Sequence, residues 1–113
     1  MAEHLSHEEY VASARQQAAN VAAGILAGTI PVLEGSFKLS ALRHEVEVES
    51  NDKDFLVFVA ISSETDALPV GEVRKHWSAE ALARLQPDIQ SATAWAMQLA
   101  VPACQSIVAR FGA

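Results

Sequence analysis

The sequence predicts an all-α protein, a compact bundle of four to five helices with one short extended or irregular segment near residues 45–70. Three observations predict it. Apolar residues recur at helical spacing through most of the chain. Half of the 113 residues are apolar, and alanine dominates that set, which favours close helix contacts. Capping residues and glycines divide the chain into pieces of helix length, all within one domain spanning residues 1–113.

The first helix is predicted from Ser6 to about Leu26. The sequence Ser-His-Glu-Glu at 6–9 is a capping box, in which Ser6 and Glu9 each accept a hydrogen bond from the other's backbone amide. Gly28 fits the helix stop, and residues 1–5 are expected to fray. The predicted buried face consists of Val11, Ala14, Ala18, Val21, Ala22 and Ile25.

The second helix is predicted from Pro31 to about Val46. Proline suits the first turn because the amide it lacks has no partner there in any residue. Gly35 lies inside this helix and costs about 1 kcal/mol relative to alanine, so we expect a close crossing with another helix at that point. The apolar stripe consists of Leu33, Phe37, Ala41 and His44.

The middle of the chain is ambiguous. Residues 45–49 alternate glutamate and valine as a strand does, and a strong turn follows at 50–54. The apolar run 55–61 is rich in β-branched residues, which favours a strand. Residues 45–49 are its only candidate partner, so a helix or irregular packing is the favoured interpretation.

A polar corner is predicted after this run. Ser63, Glu64, Thr65 and Asp66 are interpreted mainly as side chains that cap backbone amides and hold a turn. An alternative is that this corner contacts a partner.

A proline and a basic segment follow the corner. Pro69 favours extended backbone before it, and Gly71 allows a sharp bend. Arg74 is placed to pair with an acid of the preceding corner, and Trp77 is expected to fill the core.

The last third of the chain is helical by its spacing. Ser78 caps a helix that runs to about Leu85, and Pro87 either begins a new helix or bends the same one. The apolar pattern then continues over residues 89–111. Pro102 lies inside it and is expected to remove one backbone hydrogen bond and kink the helix.

The charge and the cysteine count exclude several classes of function. A net charge of −6 disfavours direct binding to nucleic acid or to an anionic membrane, and it permits a basic protein partner. The single Cys104 cannot form an internal disulfide, and neither a secretory signal nor an apolar run of about 20 residues is present. These features predict a cytoplasmic protein.

No motif for metal, cofactor or catalysis occurs. The sequence has no HExxH, no Cys-x-x-Cys, no P-loop, no GxSxG and no GxGxxG. His4 and His7 have helical spacing, but they lie at the chain terminus, so we expect solvated histidines there. Cys104 is expected to be a small buried side chain rather than a nucleophile. The prediction is therefore no metal, no cofactor and no enzyme.

Acidic residues are concentrated in the middle of the chain. We predict that they form a partner-binding face that steers a basic protein toward the chain. The predicted face consists of Glu45, Glu47, Glu49, Asp52 and Asp54, with Glu64 and Asp66 beside it.

Two segments carry a resemblance to a known group of proteins. Residues 30–44, IPVLEGSFKLSALRH, and residues 54–77, DFLVFVAISSETDALPVGEVRKHW, resemble small uncharacterised bacterial proteins that share this two-part pattern. The small size, acidic balance and lack of motifs are similar to those of immunity proteins, which neutralise bacterial toxins. The resemblance implies no catalytic residue.

The leading hypothesis is a protein-binding module, more specifically an immunity protein that occludes the active site of a toxin domain with a basic surface. One alternative is an enzyme or small-ligand binder with Glu64, Asp66, Arg74 and His76 around a pocket floored by Phe58 and Trp77. Another is a homo-oligomer that associates through alanine-rich helices.

Overall fold

The computed structural model describes residues 6–112. Its elements are α1 (His7–Ala27), α2 (Val32–Leu42), α3 (Lys53–Thr65), a 3-10 helix (Gly71–His76) and α4 (Ala79–Phe111). No strand occurs within residues 6–112, so the all-α prediction is confirmed. The predicted fraying of residues 1–5 lies outside the described residues.

The helix α1 begins and ends where its caps predict. Ser6 and Glu9 form the complete capping box, with Ser6 Oγ accepting from the Glu9 amide at 3.1 Å. Gly28 closes the helix in a left-handed conformation, with φ of 80°, and its amide donates to the carbonyl oxygens of Gly24 and Ile25. These local signals are enough to fix both ends of the helix.

The helices α1 and α4 pack against each other along their length and run antiparallel. The start of α1 lies beside the end of α4, since Arg15 stacks over the ring of Phe111 with Cζ 5.4 Å from its centroid. Small side chains allow the two axes to approach closely. The buried alanines are Ala14, Ala18, Ala19 and Ala22 on α1 and Ala96, Ala100 and Ala103 on α4.

The helix α2 ends at Leu42 rather than at Val46, so the predicted length is wrong. A turn at 43–47 follows, and it lets Val46 enter the core with no exposed surface. Val48 is partly buried against the same core, while Glu47 between the two valines and Glu49 after them are exposed. The alternation at 45–49 therefore distinguishes valines that face the core from glutamates that face solvent, and it does so in a turn and loop without any strand pairing.

The ambiguous run at 55–61 is helical. Asp52 caps α3, because its Oδ1 accepts from the amides of Asp54 and Phe55 at 3.1 and 3.4 Å. Phe55, Phe58 and Ile61 are fully buried at helical spacing, so packing of one face outweighs β propensity.

The polar corner belongs to this helix and its end. Ser63, Glu64 and Thr65 form the last turn of α3, and Asp66 follows, so the predicted non-helical turn is wrong. Thr65 is buried and its hydroxyl donates to the Ile61 carbonyl oxygen at 2.7 Å. The side chain thus bonds within the helix instead of capping a loop.

Pro69 and Gly71 have structural roles, whereas Trp77 does not fill the core as predicted. Pro69 is fully buried, and Gly71 adopts φ of 64°, a left-handed conformation that glycine tolerates. The 3-10 helix after it contains no buried residue. Trp77 follows that surface helix and is 38 % exposed, so the prediction that it fills the core is wrong.

The helix α4 is continuous through both prolines. Ser78 Oγ accepts from the Ala81 amide at 3.1 Å, and the helix then runs for 33 residues. Pro87 and Pro102 are both exposed. The carbonyl of Gln98 that loses its partner at Pro102 lies on the same exposed side, where water can bond to it. Pro87 therefore does not begin a separate helix.

We predict that Gly35→Ala destabilises the fold. A Cβ at this position would lie 2.6 Å from Cδ1 and 2.8 Å from Cγ1 of Ile25, a side chain that is only 2 % exposed, so the buried isoleucine would have to shift. Overpacking costs about 1–3 kcal/mol, which outweighs or cancels the gain of about 1 kcal/mol in helix propensity. Urea unfolding measures the difference. Lys38→Ala, on the exposed side of the same helix, is the control, and a more stable Gly35→Ala protein would contradict the close crossing.

Candidate functional site

The loop between α2 and α3, residues 43–52, is named the acidic loop. Three contacts from α1 hold it. Arg15 Nε donates to the Val46 carbonyl oxygen at 2.9 Å, the Tyr10 hydroxyl donates to the Glu45 carboxylate, and the His7 ring contacts the Glu47 carboxylate. The loop therefore has a defined shape although it lacks regular structure.

Arg110 of α4 fixes the end of the acidic loop. Its Nη1 and Nη2 donate to both oxygens of Asp52 at 3.0 and 2.8 Å, and Nη1 also donates to Asp54 Oδ2 at 2.8 Å. Ser106 Oγ donates to the same Asp54 oxygen at 2.6 Å. Asp52 and Asp54 thus have partners within the chain, and the freely available acidic surface is smaller than the sequence predicts.

The hydrogen bonds between Arg110 and Asp52 shift the pKa of both groups. Hydrogen bonds from Arg110 favour the ionised form and hold the pKa of Asp52 below its usual range, against the opposing effect of burial. The same bonds with Asp52 raise the pKa of Arg110. Arg110 also lies over the Phe111 ring, with Cζ 4.9 Å from its centroid, so both Arg110 and Arg15 contact this ring.

Glu47 is the point of backbone strain in the acidic loop. Its φ is 55°, in the left-handed region that costs a residue with a side chain roughly 1–2 kcal/mol. Its side chain is half exposed, and Glu49 is exposed as well. The turn through Glu47 is what places Val46 and Val48 toward the core on either side of it.

The structure does not bring Glu64 and Asp66 beside the acidic loop. They lie at the end of α3, whereas Asp52 lies at its beginning, and a helix of 13 residues separates them by about 18 Å. Both side chains are exposed. Within residues 6–112 Arg74 forms no ion pair with either of them, so the predicted pairing is wrong.

A second surface lies between α2, the 3-10 helix and α4. It is named the apolar groove and has a volume of about 760 Å³. Phe37 is 66 % exposed at its edge and Val73 is 50 % exposed. Its other apolar walls are Pro31, Leu33, Ala41, Val70 and Ile89, and its charged residues are Glu34, Lys38, Glu72 and Arg74.

Helix α4 separates the two surfaces. Arg110 meets the acidic loop and Ile89 lines the apolar groove, and the 21 residues from one to the other span about 32 Å of helix. The Arg110 side of the acidic loop and the Ile89 side of the apolar groove therefore lie toward opposite ends of α4, whereas Ala41, at the near end of the groove, lies two residues before the acidic loop.

The residues of the enzyme alternative do not meet in one pocket. Arg74 lines the apolar groove, but Glu64, Asp66 and His76 do not. Phe58, the expected pocket floor, is fully buried.

The buried Cys104 lacks an activated thiol. Burial raises the pKa of the Cys104 thiol to about 11, which keeps it protonated at neutral pH. Within the described chain, no three histidine, cysteine, aspartate or glutamate side chains are grouped to hold a metal ion.

Among helices in residues 6–112, none has the length and apolar content to cross a membrane.

The apolar groove was not predicted from the sequence. Phe37 falls on the apolar stripe of α2, which predicts burial, yet it is the most exposed large apolar residue of the described chain. The only feature of the sequence that indicated an exposed apolar surface was that α2 carries more apolar residues than one buried face needs.

Comparison with known proteins adds no assignment. The sequence matches no protein-family model, and neither curated proteins nor solved structures give a match. The resemblance to immunity proteins stays a prediction.

We predict that Asp52→Asn lowers stability at neutral pH but not in strong acid. Asparagine keeps the helix cap and loses the charge that pairs with Arg110. Because the folded pKa of Asp52 lies below the unfolded one, its stabilisation is complete above about pH 4 and is lost as pH falls through the folded pKa. The difference in the free energy of unfolding between wild type and Asp52→Asn, measured from neutral pH to about pH 2, should be largest above about pH 4 and should shrink as the pH falls through the folded pKa of Asp52.

Glu49→Gln is the control for this measurement. Glu49 is exposed in the same loop and forms no ion pair within the described residues. Its substitution should leave the stability of the protein unchanged at every pH. A constant gap between wild type and Asp52→Asn down to the lowest pH would contradict the ionic contribution of the clamp.

Proposed function

We propose that the chain is a protein-binding module that docks a basic protein on the acidic loop. The observation that carries the proposal is the bracing of this loop by two helices. Its fixed points are the Arg15 bond to the Val46 carbonyl and the Arg110 clamp on Asp52. Between them Glu47 and Glu49 present carboxylates to solvent.

A braced loop is suited to binding for a physical reason. Ordering a flexible loop on association costs about 0.5–1.5 kcal/mol for each immobilised side chain, and a loop already held in place avoids part of that cost. The backbone strain at Glu47 is consistent with a functional constraint on the loop. Glu45, which accepts from Tyr10, adds a third carboxylate to this surface.

The overall charge supports the same kind of partner. The net charge of −6 attracts a basic protein over several ångströms and speeds its encounter with the acidic loop. Residues such as Asp52 and Asp54 contribute less to this attraction because Arg110 neutralises part of their charge.

The more specific proposal is that the partner is a toxin domain and the chain is its immunity protein. The support is the resemblance of residues 30–44 and 54–77 together with the acidic balance. The mechanism is occlusion, in which the acidic loop covers a basic active-site rim. We place this action in the cytoplasm, a proposal supported by the single unpaired Cys104.

We predict that Glu47→Lys with Glu49→Lys slows association with the partner about tenfold or more at low salt. The binding partner to use is the protein encoded immediately upstream in the same genome. Stopped-flow kinetics at about 0.05 M and 0.5 M salt separate long-range electrostatic attraction from the direct contacts in the complex, because salt screens only the long-range attraction. The variant should also show a weaker dependence on salt than the wild type.

The matched control is Glu64→Lys with Asp66→Lys. It changes the net charge by the same amount at exposed positions of the other end of α3. It should slow association much less than the substitutions in the acidic loop. Equal slowing by both pairs would show that overall charge, not the loop, attracts the partner, and no binding by the upstream protein would contradict the immunity proposal.

A further inference from the structure

The helix α4 is longer than the helix it packs on. It has 33 residues and α1 has 21, a difference of twelve residues or about 18 Å. Because Phe111 at the end of α4 contacts Arg15 in the first half of α1, the part of α4 that projects is its beginning. This projecting part, residues 79–90, is named the overhang. It contains no buried residue, whereas every buried residue of α4 lies between Ala96 and Ile107.

An apolar stripe nevertheless continues along the overhang. Leu82, Leu85 and Ile89 follow one another at spacings of three and four, in line with the buried Ala96. Ile89 packs on the core, but Leu82 and Leu85 are partly exposed and are not part of that packing. Pro87 lies on the opposite side of the helix, at 100° per residue, and so does not obstruct the stripe.

The stripe and the apolar groove form one surface. Ile89 belongs to both, and the exposed Phe37 and Val73 lie across the groove from it. A contiguous apolar surface of this kind, rimmed by charged side chains, is typical of an interaction site. A short helix without tertiary packing is also marginal in water, so the overhang gains stability when it is covered.

The charged residues around the groove and the overhang indicate which kind of partner can bind there. The charged residues of the groove, the 3-10 helix and the overhang are Glu34, Glu72, Glu80, Asp88, Lys38, Arg74, Lys75 and Arg84. Four acids and four bases cancel, so the whole excess of −6 belongs to the rest of the chain. Two copies can meet at this neutral end without repulsion, whereas a strongly basic partner finds no excess of negative charge there.

We infer that the overhang and the apolar groove form the interface of a homodimer. The bundle surrounds only one end of α4, so antiparallel pairing of two overhangs places the two bundles apart, while parallel pairing would make them collide. A two-fold axis that crosses the stripe midway between Leu85 and Ile89 sets Leu85 of one copy against Ile89 of the second copy. Leu82 of each copy then lies beside the other copy's groove.

This interface differs from the alanine-rich one that the sequence suggests. Seven alanines of α1 and α4, Ala18 and Ala100 among them, are buried within one chain and are not free to join two chains. The dimer does not depend on the function proposed for the acidic loop, since the loops lie at its outer ends.

The test is sedimentation velocity of the whole protein over a wide concentration range. The wild type should sediment as a dimer, and Leu85→Glu should shift the midpoint of dissociation to at least about tenfold higher concentration. Leu99→Glu is the matched control, because Leu99 is an exposed leucine of the same helix, outside the overhang and the groove. It should leave dimerisation unchanged.

Circular dichroism establishes that each variant is folded, and Leu85→Ala replaces Leu85→Glu if the glutamate prevents folding. The alanine variant should weaken the dimer in the same direction. A wild-type protein that stays monomeric at every concentration would overturn the inference. So would a dimer that resists both Leu85 substitutions, or one that Leu99→Glu dissociates equally well.

Discussion

The close antiparallel packing of α1 on α4 is the constraint on which the rest of the structure depends. Alanines such as Ala18 and Ala100 are completely buried there and bring the two helices together. This contact sets which end of α4 meets the start of α1. It thereby brings both Arg15 and Arg110 into contact with the Phe111 ring, and both arginines also form hydrogen bonds to the acidic loop. It also determines how far α4 projects at the other end.

The length difference between these helices divides the molecule into two chemical regions. At one end, charged hydrogen bonds hold an acidic loop whose net charge suits a basic partner. At the other end, apolar side chains surround a groove in which acids and bases cancel. The continuous α4 joins these regions over about 32 Å from Arg110 to Ile89. Each end can therefore bind a different kind of surface without one partner blocking the other. A dimer would present two acidic loops.

Local rules predicted the parts of the fold that local interactions decide. The ends of α1 follow from the capping box at Ser6 and from Gly28, and both are read directly from neighbouring residues. The close crossing at Gly35 follows from the cost of glycine in a helix. The end of α2 did not follow, because burial of Val46 by distant helices overrides its helical pattern.

The candidate sites were less predictable for the same reason. Arg110 is 58 residues from Asp52, so no spacing in the sequence shows that this carboxylate is already paired. The exposure of Phe37 depends on where α4 and the 3-10 helix leave a gap. The acidic character of the loop was visible in the composition, but its bracing required the tertiary structure.

The distance between the two ends of α4 tests this account most directly. Spin labels at Glu80→Cys and Ala109→Cys, in a Cys104→Ala background and diluted with unlabelled protein, occupy exposed positions 29 residues apart. A continuous helix predicts one narrow distribution of distances near about 44 Å in double electron–electron resonance. A distribution centred below about 35 Å would show that α4 folds back at one of its prolines. The separation of the two surfaces would then be wrong.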